Sequence, residues 1–68
     1  MSNFSENVRK LRLEKGLSQA ELGKMIDVSQ VVIQNYETEK ITPKPITFVR
    51  LAKALGTTCE EIVDGLTT

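Results

Sequence analysis

A chain of 68 residues and 7.6 kDa supplies one modest hydrophobic core and room for a single domain. It carries 40% hydrophobic and 26% charged residues, as an ordinary globular domain does, but no His and only one Cys; the usual general base, the commonest metal ligand and any thiolate cage are therefore missing, which argues against an enzyme, a metal site or a bound cofactor. Nine basic and nine acidic residues cancel, yet Glu60, Glu61 and Asp64 fall in the last eleven positions, so residues 1–57 hold nine basic against six acidic.

Apolar spacing is helical throughout, and strand alternation appears nowhere, so the expected fold is all-α. Phe4, Val8 and Leu11 form the stripe of a first helix over about 4–15, and Gly16 follows as a residue that tolerates a left-handed turn. Ser18 with Glu21 makes a capping box, in which hydroxyl and carboxylate each satisfy a free backbone N–H. Leu22, Met25 and Ile26 supply the buried stripe of the second helix, 19–26. Only Asp27 and Val28 precede Ser29, another N-cap residue, and Ile33 and Tyr36 then define a third helix over 30–38. Glu39–Lys44 reads as a polar loop. Pro45, acceptable in a first turn, opens a fourth helix over 45–55 that is buried through Phe48, Leu51, Ala52 and Leu55 and ended by Gly56. Thr58 with Glu61 repeats the capping box, and Cys59, Ile62, Val63 and Leu66 complete a last helix over 59–66. Cys59 has no second cysteine to pair with and reads as a small core residue. No apolar run approaches the ~18 residues of a membrane span, so a soluble, cytoplasmic chain is expected.

Two short capped helices joined by a turn of a few residues form a helix-turn-helix, whose second helix enters the DNA major groove. The stretch L17-S-Q-A-E-L-G-K-M-I-D-V-S-Q-V-V-I33, then Q-N-Y-E37, resembles the five-helix Cro and repressor family of phage and bacterial transcription regulators, also called Xre-like. Further landmarks are Gly23 where the second helix meets the third, Val28-Ser29, Pro43 and Leu51-Ala52-Lys53-Ala54-Leu55-Gly56, so the resemblance spans essentially the whole of 1–68. Two positions depart from it. Asp27 and Glu39 stand where the family often has Gly, and a positive φ at either would carry a cost, smaller for Asp than for Glu.

Burying the second helix and the apolar side of the third leaves Gln30, Val31, Gln34 and Asn35 on or near the outer face. Gln and Asn suit bidentate bonds to adenine, and Val suits a thymine methyl. Ser29 and Val32 are counted with them as candidate DNA contacts. Lys40, Thr42 and Lys44 in the following loop are placed for the phosphate backbone. The resemblance implies that Gln19 meets a phosphate and braces Gln30. It also implies a structural ion pair between Arg12 and Glu37.

The implied function is a sequence-specific regulator that binds a double-stranded, palindromic DNA operator as a homodimer, with Ile46 and Leu66 as apolar candidates for the dimer surface. A second reading comes from another class: an antirepressor or lysogeny modulator that docks on a partner repressor protein. It rests on the adjacent Val31 and Val32 and on the zero net charge, which weakens long-range attraction to DNA.

Overall fold

The computed structural model describes residues 3–64. Five helices follow in chain order: α1 (Asn3–Glu14), α2 (Gln19–Met25), α3 (Gln30–Glu37), α4 (Pro45–Leu55) and α5 (Cys59–Asp64). No strand occurs among the described residues. The expected continuation of the last helix to 66, and Leu66 with it, lies outside them.

Local chemistry sets the helix starts. The Ser18 hydroxyl accepts the Glu21 N–H at 2.9 Å while the Glu21 carboxylate accepts the Ser18 N–H at 2.8 Å, so the capping box at α2 is closed on both sides. The Ser29 hydroxyl accepts the Val32 N–H at 3.3 Å and caps α3. Pro45 occupies the first turn of α4, where its missing N–H leaves no bond unmade. α2 and α3 each end one residue before the spacing implied, because Ile26 and Thr38 already have non-helical dihedrals and act as C-caps.

The core draws on every helix: Val8 from α1, Leu22 from α2, Ile33 and Tyr36 from α3, Leu51, Ala52 and Leu55 from α4, and Ile62 from α5, with Ile26 beside them. Six of these side chains are fully enclosed, each stabilising the fold by about 1.5–3 kcal/mol relative to an exposed position. Phe4 joins two neighbours by ring contacts, edge-on to Tyr36 at 6.3 Å and tilted against Phe48 at 5.2 Å.

Several apolar positions sit otherwise than the spacing implied. Met25 is 56% exposed, in a shallow surface groove with Arg50, Lys53 and Ala54, because α2 has only two turns and Leu22 and Ile26 take its inward face. Val63 is 47% exposed while Ile62 fills the core position of α5. On α1 the most buried residues are Ser5, Val8 and Arg12, at a helical spacing of three and four, with Phe4 and Leu11 only half-buried at its edges.

Candidate nucleic-acid interface

α3 is held at both ends and underneath, which leaves one face to solvent. Beneath it, Ile33 and Tyr36 are buried, and the Ser5 hydroxyl donates to the Tyr36 carbonyl oxygen at 2.7 Å, joining α1 to α3. At its start, the chain turns from α2 so tightly that the Val28 N–H reaches the Gly23 carbonyl at 2.8 Å. A Cβ at Gly23 would lie 2.6 Å from the Val28 carbonyl oxygen, so this approach requires glycine.

At its end, Glu37 anchors α3 to α1. Arg12 Nε donates to Glu37 Oε2 at 2.6 Å and Arg12 Nη2 to Oε1 at 3.0 Å, a two-pronged pair whose side chains are only 10% and 4% exposed. The third arm, Arg12 Nη1, donates to the Leu17 carbonyl at 2.9 Å. Its bond to Glu37 raises the Arg12 guanidinium further above its ordinary value, so this charge is permanent at any accessible pH.

The outward face then consists of Gln30, Val31 and Gln34, all exposed, with Asn35 half-buried at its margin. Val31 is 61% exposed. Val32 differs from its neighbour, since it is half-buried and packs against the core, so the two valines do not form one exposed pair. Ser29 is exposed at the helix start, its hydroxyl engaged by the Val32 N–H. Lys40, Thr42 and Lys44 are all exposed in the loop after α3. Glu37 is the single charged residue of α3 and is occupied by Arg12, so the exposed polar groups of the helix are neutral amides and positive charge comes from the loop.

Gln19 has a different partner from the one the resemblance implied. Its amide nitrogen donates to Glu37 Oε1 at 3.1 Å, and no bond joins it to Gln30. Two polar residues that sequence reasoning passed over also connect helices. Ser5 does so as described, and the Asn7 amide donates to the Ile62 carbonyl at 2.6 Å, joining α1 to α5. The available signal for Ser5 is its place three residues before Val8 and seven before Arg12, on one stripe of α1.

Among the described residues, no group of His, Cys, Asp and Glu could hold a metal ion, and no helix is long and apolar enough to cross a membrane.

A capped helix, a tight turn at a glycine, and a second capped helix that buries one face and presents the other define a helix-turn-helix domain. Comparison with known proteins agrees. The family described as Helix-turn-helix matches residues 8–62. The fold is similar to that of the P22 c2 repressor in its crystal structure with synthetic operator 9T, with a TM-score of 0.88 and 32% identity over 91% of this chain and 94% of that one. It is similar also to the restriction-modification controller protein C.AhdI from Aeromonas hydrophila, with a TM-score of 0.83 and 26% identity over 90% and 92% of the two chains. In sequence the chain is 41% identical over 49 residues to multiprotein-bridging factor 1c of Arabidopsis thaliana, a match covering 72% of this chain and 33% of that protein. The chain belongs to the Cro/repressor-type helix-turn-helix family, a family of DNA-binding transcription regulators and not of enzymes.

Proposed function

We propose that this chain is a sequence-specific DNA-binding regulator of Cro or repressor type, which reads a palindromic operator as a homodimer through the outer face of α3. The observation that carries the reading is that face itself: Gln30, Val31 and Gln34 stand exposed together above a helix whose other side is locked into the core. Gln30 and Gln34 supply paired donors and acceptors for adenine, Val31 an apolar contact for a thymine methyl, and Asn35 a further amide at the margin. Lys40, Thr42 and Lys44 supply the sequence-independent contacts to phosphate. Two copies with α3 helices about 34 Å apart would enter successive major grooves, which makes the operator symmetric. Ile46, at 64% exposure, is the apolar candidate for the contact between copies. Similarity to a repressor crystallised on its synthetic operator supports the same reading. Docking on a partner repressor protein instead would draw on Val31 and Val32 as one patch, and Val32 is turned inward.

The test is selection from a randomised double-stranded DNA library at about 50 mM salt, where phosphate contacts are strong. Enrichment of a sequence with two symmetric half-sites is the expected result. Binding without any sequence preference would overturn it.

A further inference from the structure

We propose that the groove between the end of α2 and α4 is a docking site for an acidic amphipathic helix of a partner protein. The surface serves this role whether or not α3 reads DNA.

Arg50, Lys53 and Ala54 of α4 form one wall of the groove, and Met25, Ile26 and Asp27 form the other, with about 460 Å³ between them. Ile26 is buried and Ala54 half-buried, while Met25 stands 56% exposed. An unbranched thioether side chain adapts to whatever apolar surface is laid against it. Arg50 and Lys53 are exposed, three positions apart on one helix, and neither forms an ion pair with Asp27 or any other described carboxylate. Two cations against one carboxylate leave the groove positive, so the surface that complements it is apolar with carboxylates along its edge.

The groove also selects the form of its occupant. It is shallow and open, whereas a small molecule is held by concave walls that cover most of its surface. No strand occurs among the described residues, so an extended peptide finds no sheet edge here, and its backbone groups would face apolar side chains unpaired. A helix satisfies those groups internally and lays one apolar stripe, flanked by charges, into the groove. A second copy of this chain fits poorly. Its acidic helix, α5, commits Ile62 to the core and leaves Val63 as its exposed large apolar side chain, a single anchor beside Glu60 and Glu61. Two copies of α4 packed face to face would bring the like charges of Arg50 and Lys53 together.

The test is selection of displayed helical peptides of about 16 residues, with a fixed Leu stripe and the flanking positions randomised among Glu, Lys, Gln and Ala. Enrichment of Glu beside the stripe is the expected result. The enriched peptide, made synthetically, should become helical on binding and displace the amide resonances of Met25, Arg50 and Ala54. Its affinity should fall about tenfold or more in Arg50→Glu/Lys53→Glu and by a smaller factor in Met25→Gln. Thermal melting of both variants checks that the fold is kept. If the charge reversal lowers the melting temperature, Arg50→Gln/Lys53→Gln repeats the measurement. Enrichment of basic or uncharged peptides, or of none, would overturn the proposal. So would resonance changes confined to other surfaces, or an affinity that charge reversal leaves unchanged. Sedimentation of the protein alone is the remaining control: a dimer whose formation displaces the Met25 and Ala54 resonances would give the groove to a second copy and overturn the proposal too.

Discussion

Asp27 and Glu39 share one backbone conformation, a φ of 64°, on either side of α3. Each closes the helix before it in the same way. After α2, the Val28 N–H reaches back to the Gly23 carbonyl at 2.8 Å and the Asp27 N–H to Lys24 at 3.4 Å; after α3, the Lys40 N–H reaches Asn35 at 2.9 Å and the Glu39 N–H reaches Tyr36 at 3.4 Å. Gly16 and Gly56, both at φ 70°, make the equivalent closures after α1 and α4. The fold therefore uses a left-handed residue after each of its first four helices, and the two that are not glycine flank the helix proposed to read DNA.

A side chain in the left-handed region costs about 1–2 kcal/mol, less for Asp, whose short polar group tolerates it. Glu39→Gly should accordingly stabilise the domain by up to about 1 kcal/mol, after the extra freedom glycine gives the unfolded chain is subtracted. Asp27→Gly should gain less. Thermal melting of both variants measures this, and a larger gain at Asp27 would contradict the strain argument.

Gly23→Ala should act in the opposite direction. The new methyl would meet a backbone oxygen at 2.6 Å, which cannot swing aside as a side chain can, so the turn itself must move. A loss of about 1–3 kcal/mol is expected, as for overpacking elsewhere, together with displaced amide resonances at Val28 and Ser29.

Removing Arg12 strands a carboxylate whose side chain is 4% exposed. Arg12→Ala is therefore expected to cost about 3–5 kcal/mol, a large share of what so small a domain has to lose. The Arg12→Met/Glu37→Met protein should recover much of that loss, since neither charge is left alone. Urea titration of the three proteins checks both statements.

On DNA, Gln30→Ala and Gln34→Ala should each weaken the selected site by about 1–3 kcal/mol and leave mixed-sequence binding nearly unchanged. Lys40→Ala and Lys44→Ala should weaken all sequences alike and lower the salt slope by about one unit for each phosphate no longer neutralised. Titrations of both DNAs at several salt concentrations separate the two classes, and equal losses on both from the Gln variants would remove them as base readers.

Acid should loosen α5. The Thr57 hydroxyl and the Thr58 N–H both donate to Glu61 Oε1 and hold that carboxyl below the ordinary glutamate range. A carboxyl whose folded value is depressed contributes stability above its unfolded value near ~4.3, and loses it as the pH falls through the folded one. As the pH falls below the unfolded value and through the depressed folded one, amide exchange in α5 should rise as the Glu61 resonance titrates. In Thr57→Val the Glu61 titration should shift upward.

Much of this architecture is legible in short-range chemistry. A capping box joins residues three apart, the closures at Gly16 and Gly56 span a single turn, and Pro45 acts on its own helix, so Ser18, Glu21, Ser29, Thr58 and their neighbours delimit five helices before any of them pack. Leu22, Ile33, Leu51, Leu55 and Ile62 are both strongly apolar and at helical spacing, which already marks them as core. The helix-turn-helix follows from the short interval between the second and third capped helices.

What packing alone decided concerns where each helix turns its margins. Apolar spacing defines a stripe but not its edges, so Met25 and Val63 lie outside the core and Val32 lies against it, according to which neighbours stand opposite. Polar core positions escape an apolar count altogether: Ser5 and Arg12 are buried because Tyr36 offers a carbonyl and Glu37 a carboxylate, from a helix distant in sequence. Gln19 turned to Glu37 for the same reason. A hydrogen bond between residues far apart in the chain exists only when the apolar core has already brought their helices into register, and no spacing within either helix encodes that meeting.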